Sequence, residues 1–446
     1  MEEAEIANAP ISFIIKDDEY ENRDRFVSMW TNEEVTVELI STDEEYEIPN
    51  FTWKLDDEDI GTGNAENNTI SITLNKQQFP ETKHKIFIYD EDDKKIGKLV
   101  LRFYDPPIVK FDRPNNTQYA GRFFFDRGEV PSLQDYGSYE TLQFPWTDEE
   151  YYIPVLGLNK NQSANIKVSI ENFPNYAKDD RNFKLQIVPN QLEKIFFNNT
   201  DDELEYNAEQ LADLNEIDIR AEKIIGDESL LINAYIPSID QTVGAIEYYC
   251  KEKVSKEIKL VYVKCADETD YPELPLSELE TYLNTNSLNQ LFLNISVIIS
   301  QLTSNYNKSF FEGKDKEFIL SVFIHEKYDQ AFPIPTTESS DDVYFVSNIQ
   351  GGTDPAGHLR GQKGGIQLKL SPNTILSKYE VVAHELGHWL GFPEIFNDDG
   401  DSPFTFKIHE SQGQSDYNFM DYDVTVRNSW YKIQLLNMKL NHDDDE

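Results

Sequence analysis

Short runs of residues that alternate between apolar and polar, or are wholly apolar, fill the first hundred positions of this chain. The runs lie at residues 11–15, 34–40, 69–74, 85–89 and 98–103. Such runs are typical of strands that bury at least one face, so each predicts a β-strand. Turn-forming residues at 56–57 and 61–63 separate neighbouring runs, and Pro106 and Pro107 favour a stiff connector after them. We therefore predict a first, all-β domain over residues 1–105.

The strand-like pattern continues from residue 106 to residue 256, which predicts a second β-rich domain. Residues 165–170 and 183–188 are its clearest strands, whereas residues 200–220 are polar and acidic and predict a loop or a short helix. Many strands at short spacing favour sandwiches of the immunoglobulin-like type, so two sandwiches in tandem would account for the N-terminal half. The aromatic, glycine-containing segment 118–146 fits no element pattern.

From residue 257 the pattern changes to strands that alternate with helices. Strands are predicted at 258–263, 318–324, 343–346 and 365–370. A helix is predicted over 276–299, with Leu279, Leu283, Leu291 and Ile295 on its buried side, and a closing helix over 428–440. Strands and helices in alternation predict a third, α/β domain over residues 257–446.

An apolar stripe at helical spacing lies just after the last of these strands. It is formed by Ile375, Tyr379, Val382, Leu386 and Trp389. Intervals of three and four residues predict an amphipathic helix that packs on a sheet. Two helix starts stay open, Ser371 before Pro372 or a capping box formed by Ser377 and Glu380.

This helix carries two histidines and a glutamate in a zinc-hydrolase arrangement. His384 and His388 lie four residues apart, so both rings project from one side of the helix and can reach a single cation. Glu385 is turned by about 100° from His384, which brings its carboxylate beside such a cation. A chance His-Glu-x-x-His is expected in roughly one chain per hundred of this composition, so a zinc site is the favoured interpretation.

The residues after the helix can complete the metal site. Gly391 can adopt a left-handed conformation and end the helix, and Pro393 stiffens the returning segment. Glu394 follows, and two histidines with a carboxylate are a known zinc ligand set. The competing third ligands are His409, Asp398, Asp399 and Asp401.

In these residues the chain resembles the metzincin metallopeptidases. Their long motif corresponds to residues 384–394, and their methionine-containing turn corresponds to residues 418–422, which read Asn-Phe-Met-Asp-Tyr. Within that group the chain is most similar to the pappalysin type, with some likeness to the immune-inhibitor-A type in residues 391–394. The resemblance covers residues 257–446. It departs at Glu394, where the pappalysin type has histidine.

The resemblance implies an α/β metzincin-like catalytic domain and a zinc endopeptidase. It implies that Met420 packs beneath the metal and that Tyr422 stands near it as a catalytic hydrogen-bond donor. A zinc-activated water would attack the peptide bond, with Glu385 as its general base. One alternative is a non-catalytic interaction or effector protein with an inactive peptidase-like domain. Another is a peptidase injected into a foreign cell.

Composition restricts the partners of this protein. The 82 acidic and 40 basic residues give a net charge of −42, which repels nucleic acids and anionic membranes, so both are poor partners. The peptidase interpretation implies a protein or peptide substrate instead. No apolar run reaches about eighteen residues, so no membrane span is predicted. Residues 1–6 lack the basic and apolar regions of a signal peptide. Synthesis in the cytoplasm is expected, with leaderless export through a secretion or injection apparatus as an open route.

Two further features keep alternatives open. Asp398, Asp399 and Asp401 have the carboxylate density of a Ca²⁺ loop but not its full spacing, so a solvated acidic turn competes with a calcium site. Cys250 and Cys265, the two cysteines of the chain, can form a disulfide or remain two buried thiols.

Overall fold

The structure is a computed structural model. The residues that it describes are 10–15, 18–21, 26–30, 34–73, 83–115, 119, 121–128, 139–147, 150–172, 183–190, 195–197, 203–226, 228–272, 274–314, 316–331, 343–347, 358–360, 363–365, 378–392, 418–420, 430, 432–436 and 438.

Two sheets packed face to face form the first part of the chain, here called the first sandwich. One sheet has the strand order β2-β1-β4-β7 and the other β3-β9-β8-β5-β6. The strands are β1 (Ile11–Ile15), β2 (Asp18–Glu21), β3 (Phe26–Trp30), β4 (Glu34–Ser41), β5 (Phe51–Leu55), β6 (Glu58–Gly63), β7 (Thr69–Thr73), β8 (Lys83–Asp90) and β9 (Lys95–Tyr104). Phe13 and Val37 of one sheet share a buried core with Trp53 and Ile88 of the other. The predicted strands of this region are confirmed, because each buries alternate side chains in that core.

A second pair of sheets follows, here called the second sandwich. Their strand orders are β10-β15-β19-β17 and β11-β14-β21-β20-β16-β18, and β12 pairs with β13 alone. The elements are β10 (Ile108–Asp112), β11 (Phe124–Asp126), β12 (Thr141–Gln143), β13 (Glu150–Tyr152), β14 (Val155–Asn159), β15 (Ser163–Glu171), β16 (Leu185–Pro189), β17 (Ile195–Phe197), β18 (Leu204–Tyr206), helix α1 (Ala208–Leu211), β19 (Glu216–Ala221), β20 (Leu230–Ile236), a 3₁₀ turn (Pro237–Ile239) and β21 (Gln241–Lys251). Ile166 and Ile219 from the first sheet pack with Ile187 and Ile246 from the second in one core. The predicted all-β character of the N-terminal half is confirmed.

The third part contains a parallel sheet and is here called the parallel-sheet region. Its strands pair in parallel in the order β23-β22-β24. The elements are β22 (Val254–Lys264), helix α2 (Leu276–Asn286), a 3₁₀ turn (Leu288–Leu291), β23 (Leu293–Thr303), α3 (Lys308–Phe311), α4 (Lys316–Ala331), β24 (Val343–Ser347), the hairpin β25 (His358–Arg360) and β26 (Lys363–Gly365), α5 (Lys378–Trp389) and α6 (Lys432–Leu436). The predicted strands at 258–263 and 343–346 are confirmed. The predicted strand at 365–370 reaches the described residues only at Gly365, the end of β26.

The predicted helix over residues 276–299 is wrong beyond Asn286. The chain turns after α2 and returns as β23, which alternates buried Leu293, Ile295 and Val297 with exposed polar residues. Asn284 joins the two elements, since its side chain both donates to the carbonyl of Ile295 and accepts from the amide of Ile295, each at 2.7 Å. Alternation with a period of two was therefore the deciding signal.

The predicted strand at 318–324 is wrong, because these residues lie in α4. Ile319 and Phe323 are four residues apart and fully buried against Val261 and Phe345 of the sheet, while Phe318 is 37% exposed. The apolar and β-branched composition favoured a strand. A parallel pairing, however, needs a long crossover between β23 and the next strand, and a helix satisfies that requirement.

Three further predictions can be compared with the described residues. The closing helix predicted at 428–440 is found only as α6, with residues 430 and 438 outside any helix. Cys250 and Cys265 are free and buried, and burial raises the pKa of both thiols, that of Cys265 to about 12. Within the described ranges, no helix has the length and apolarity needed to cross a membrane.

Candidate metal centre

Helix α5 packs on the parallel sheet through Val382 and Leu386 of the predicted apolar stripe; Ile375 and the side chain of Trp389 lie outside the described residues. Val382 and Leu386 are fully buried in a core that also holds Ile258 and Ile295 of the sheet. Near its start, the Tyr379 hydroxyl donates to the Glu278 carboxylate of α2 at 2.7 Å. Burial, reinforced by this contact, raises the pKa of Tyr379 to about 12. Helix α5 is thus attached to both the sheet and a neighbouring helix.

The end of α5 is a Schellman turn. Gly391 has a φ of +86°, in the left-handed region. The amide of Phe392 donates to the carbonyl of Gly387 and the amide of Gly391 donates to the carbonyl of His388, both at 3.0 Å. These two bonds define the motif, so the predicted role of Gly391 as the helix stop is confirmed.

Both histidine rings of α5 are held by backbone carbonyls. Nδ1 of His384 lies 2.8 Å from the carbonyl oxygen of Phe419, and Nδ1 of His388 lies 2.8 Å from that of Phe392. A carbonyl only accepts, so each Nδ1 must carry the hydrogen. In the neutral ring, Nε2 then keeps its lone pair, which is the tautomer and orientation that metal-ligating histidines have.

The spacing of the two rings suits a single zinc ion. The ring centroids of His384 and His388 are 4.9 Å apart and the planes cross at 83°. Two imidazoles on one tetrahedral zinc, with Zn–N bonds of about 2.0–2.1 Å, place their centroids roughly 5 Å apart. Glu385, the neighbour of His384, is 3% exposed. The two histidines therefore fit a zinc site in both donor type and spacing.

A methionine-containing turn lies directly beneath α5. The Asn418 side-chain oxygen accepts the amide of Met420 at 2.9 Å, which closes the turn. A Cβ placed on Gly387 would lie 2.4 Å from Sδ of Met420 and 2.9 Å from Cη2 of Trp430. Met420 is fully buried. The helix and the turn thus approach so closely that only glycine fits at position 387, and Met420 packs directly against the helix there.

Trp430 is a part of this site that the sequence analysis missed. Its ring is fully buried and stacks on Phe419 with centroids 4.9 Å apart, and it lies 5.5 Å from the ring of Phe392. Trp430 therefore packs against both residues whose carbonyls hold the histidines. The glycine at position 387, in an otherwise bulky helix, was the one sequence signal of such a close contact.

Several predicted site residues lie outside the described part of the chain. They are the proposed third ligand Glu394, the proposed catalytic Tyr422, the competing ligand His409, and Asp398, Asp399 and Asp401 of the candidate calcium loop. Among the residues that are described, no set of three or more histidine, cysteine, aspartate and glutamate side chains is arranged to hold a metal ion. The structure brings together His384, Glu385, His388 and Met420.

Comparison with known proteins yields matches only among solved structures. No known family pattern matches the chain, and neither does any curated protein. The fibronectin(III)-like modules of Clostridium thermocellum CbhA match at 18% identity and a TM-score of 0.14, over 19% of this chain and 88% of theirs. The four N-terminal immunoglobulin domains of Dscam1 match at 9% identity and a TM-score of 0.21, over 57% of this chain and 58% of theirs.

The central fibronectin-III array of RIM-binding protein also matches, at 9% identity and a TM-score of 0.14, over 55% of this chain and 70% of that one. TM-scores this low carry no argument about fold or function. The fold rests on the two sandwiches and the parallel sheet, and the candidate site rests on the side chains of α5.

Proposed function

We propose that this protein is a zinc-dependent endopeptidase of metzincin type, with its metal centre on α5. The observation that supports the proposal is the pair of oriented imidazoles. His384 and His388 each present Nε2 from one helix face, with Nδ1 held by a backbone carbonyl and Met420 packed beneath. The parallel-sheet region would then be the metzincin-like catalytic domain, preceded by two immunoglobulin-like sandwiches.

The residues have separate roles in the proposed reaction. Nε2 of His384 and of His388 would hold zinc, with Glu394 as the third ligand. A zinc ion held there would supply a Lewis acid for the scissile carbonyl and would lower the pKa of water. Glu385 accepts the proton of the attacking water on its carboxylate and passes it to the nitrogen of the leaving amine. The Tyr422 hydroxyl donates a hydrogen bond to the oxyanion.

Two further parts of the proposal concern the substrate and a second ion. A protein or peptide substrate and a calcium ion near Asp398, Asp399 and Asp401 stay predictions. The first depends on the proposed peptidase chemistry, and the second on a segment outside the described residues.

A Glu385→Gln variant tests the proposed function. The full-length chain is purified, its zinc content is measured, and cleavage of a peptide library is followed with and without a chelator. We expect the wild type to show zinc-dependent peptide cleavage. Glu385→Gln should lower the cleavage rate by roughly 10²–10⁴-fold, because the glutamine amide accepts no proton. The zinc content of this variant should equal that of the wild type. His384→Ala and His388→Ala should lose the zinc itself.

The matched control is Glu326→Gln. Glu326 is another buried glutamate and lies on a different helix, α4. Its carboxylate accepts a hydrogen bond from the backbone amide of Asn305 at 2.7 Å. Its replacement should leave cleavage unchanged. A wild type as inert as Glu385→Gln toward every library member would reject the peptidase and favour the interaction protein with an inactive domain.

A further inference from the structure

A buried ion pair joins the second sandwich to the last helix of the parallel-sheet region. Nζ of Lys432, the first residue of α6, lies 2.5 Å from a carboxylate oxygen of Glu247 on β21. The side chains are 5% and 3% exposed. The hydroxyl of Tyr249 donates to the other oxygen of Glu247 at 2.7 Å. The charges of Lys432 and Glu247 therefore neutralise each other, although the two residues lie 185 positions apart in the chain.

A second buried carboxylate of the sandwich holds the backbone of the same helix. Asp126, the last residue of β11, accepts the backbone amide of Lys432 at 2.6 Å. It also accepts the hydroxyl of Tyr139 and, through its other oxygen, the amide of Gly128 at 3.0 Å. The start of α6 is thus fixed at both its side chain and its backbone by residues of the second sandwich.

Helix α6 in turn holds the methionine turn. Gln434, fully buried, exchanges two amide hydrogen bonds with Asn418, at 2.8 Å and 3.3 Å. Asn418 also accepts the amide of Met420. Between them lies Phe419, whose carbonyl holds Nδ1 of His384. Buried polar contacts, linked by the backbone of α6 and of residues 418–420, therefore connect the second sandwich to a histidine of the candidate metal centre.

We propose that Lys432 is a positioning residue for that centre, held in place by Glu247 and Asp126 of the second sandwich. Buried charges are tolerated only with their partners, so this cluster gives α6 one allowed position. Through Gln434 and Asn418, that position sets where the Phe419 carbonyl stands, and the carbonyl sets the orientation of His384. The inference rests on the proposed function, since it assigns the second sandwich a part in zinc binding.

Lys432→Met and Glu247→Gln test the proposal in the full-length chain. The zinc dissociation constant is measured by competition with a chromophoric chelator. The Nδ1–H signal of His384 is followed by NMR on zinc-free protein labelled with ¹⁵N-histidine. For Lys432→Met we expect zinc binding weakened by roughly tenfold or more, the size of effect seen when outer partners of ligands are removed. The Nδ1–H signal should shift or broaden.

The matched control is Lys110→Met, which removes a lysine paired with Glu171 at 2.9 Å on the surface of the same sandwich. Its zinc dissociation constant and His384 signal should equal those of the wild type. If Lys432→Met fails to fold, Glu247→Gln keeps an oxygen acceptor and carries the test. If that variant also fails, Gln434→Leu, which breaks the link to Asn418, is measured in the same way.

The outcomes separate this inference from the proposed function. A folded variant with a lowered melting temperature, but with the wild-type zinc affinity and His384 signal, would show that the cluster only stabilises the fold and would overturn the inference. A wild type whose zinc binding is absent, or unaffected by His384→Ala, would overturn the proposed function and the inference with it.

Discussion

At the scale of single residues, the distance between α5 and the methionine turn is set by Gly387. The atoms of Met420 and Trp430 occupy the space where a Cβ would stand. Gly387 lies between His384 and His388 in the helix, so any displacement here moves both rings relative to the carbonyls that hold them.

Gly387→Ala should therefore weaken the candidate centre. Alanine favours the helix by about 1 kcal/mol, but overpacking a dense core costs about 1–3 kcal/mol, so we expect a net loss of up to about 2 kcal/mol in the free energy of unfolding. Denaturant unfolding and the zinc dissociation constant measure the two effects. Adding Met420→Ala makes room for the new methyl group and should restore part of the affinity. A stabilised single variant would contradict the packing described.

The sequence predicted that His384 and His388 project from one face of a helix, because their four-residue spacing alone puts them there, and that Glu385 lies beside them. The helix stop at Gly391 followed from the lack of a side chain. The carbonyls of Phe419 and Phe392 and the ring of Trp430 could not be predicted, since any residue has a carbonyl and a tryptophan carries no motif of its own. Their roles arise from tertiary packing.

At the scale of elements, the Schellman turn that ends α5 also supplies a partner to the site. The two backbone hydrogen bonds of this turn hold Gly391 in the left-handed conformation and reverse the direction of the chain. This reversal brings the Phe392 carbonyl to Nδ1 of His388. The geometry of this helix end and the orientation of the His388 ring are therefore one feature.

Gly391→Ala tests this coupling, with Gly226→Ala as its control. Both glycines have a positive φ, +86° and +89°, so alanine should cost each about 1–2 kcal/mol of backbone strain. Position 226 has no atom within 4 Å of the added Cβ, and it should show only that loss of stability. Gly391→Ala should also weaken zinc binding, because the strain displaces the Phe392 carbonyl. Equal zinc affinities in the two variants would show that the turn does not orient His388.

Sequence patterns predicted strands of the two sandwiches well and the parallel-sheet region less well. A strand such as β4, which buries Val35, Val37 and Leu39 on one face, has an alternation that a single sequence displays. The strand predicted at 318–324 was wrong because its apolar run suits either a strand or a helix. The crossover between parallel strands requires the helix. That constraint lies in the pairing of the sheet, which a local pattern does not contain.

At the scale of the whole molecule, the two sandwiches differ in their relation to the candidate centre. Among the residues that the structure describes, the core of the first contains only positions from Ile11 to Leu101. Phe124, Val155 and Tyr249 of the second lie in the same core as Val382 and Leu386 of α5. The pairing of Glu247 with Lys432 joins distant parts of the chain, so the sequence alone gave no sign that the second sandwich adjoins α5.

Truncation from the N-terminus tests whether the second sandwich, but not the first, supports the candidate centre. A chain that begins at Tyr104, a residue of the second core, should keep its zinc affinity and the unfolding transition of the remainder. A chain that begins at Val254 leaves Lys432 without Glu247, and breaking a buried pair costs about 3–5 kcal/mol before the loss of apolar packing is counted. Since domains are stable by only about 5–15 kcal/mol, we expect this shorter chain to lose its cooperative transition in calorimetry and its zinc binding together. A shorter chain that folds and binds zinc like the wild type would show that the second sandwich merely adjoins the centre.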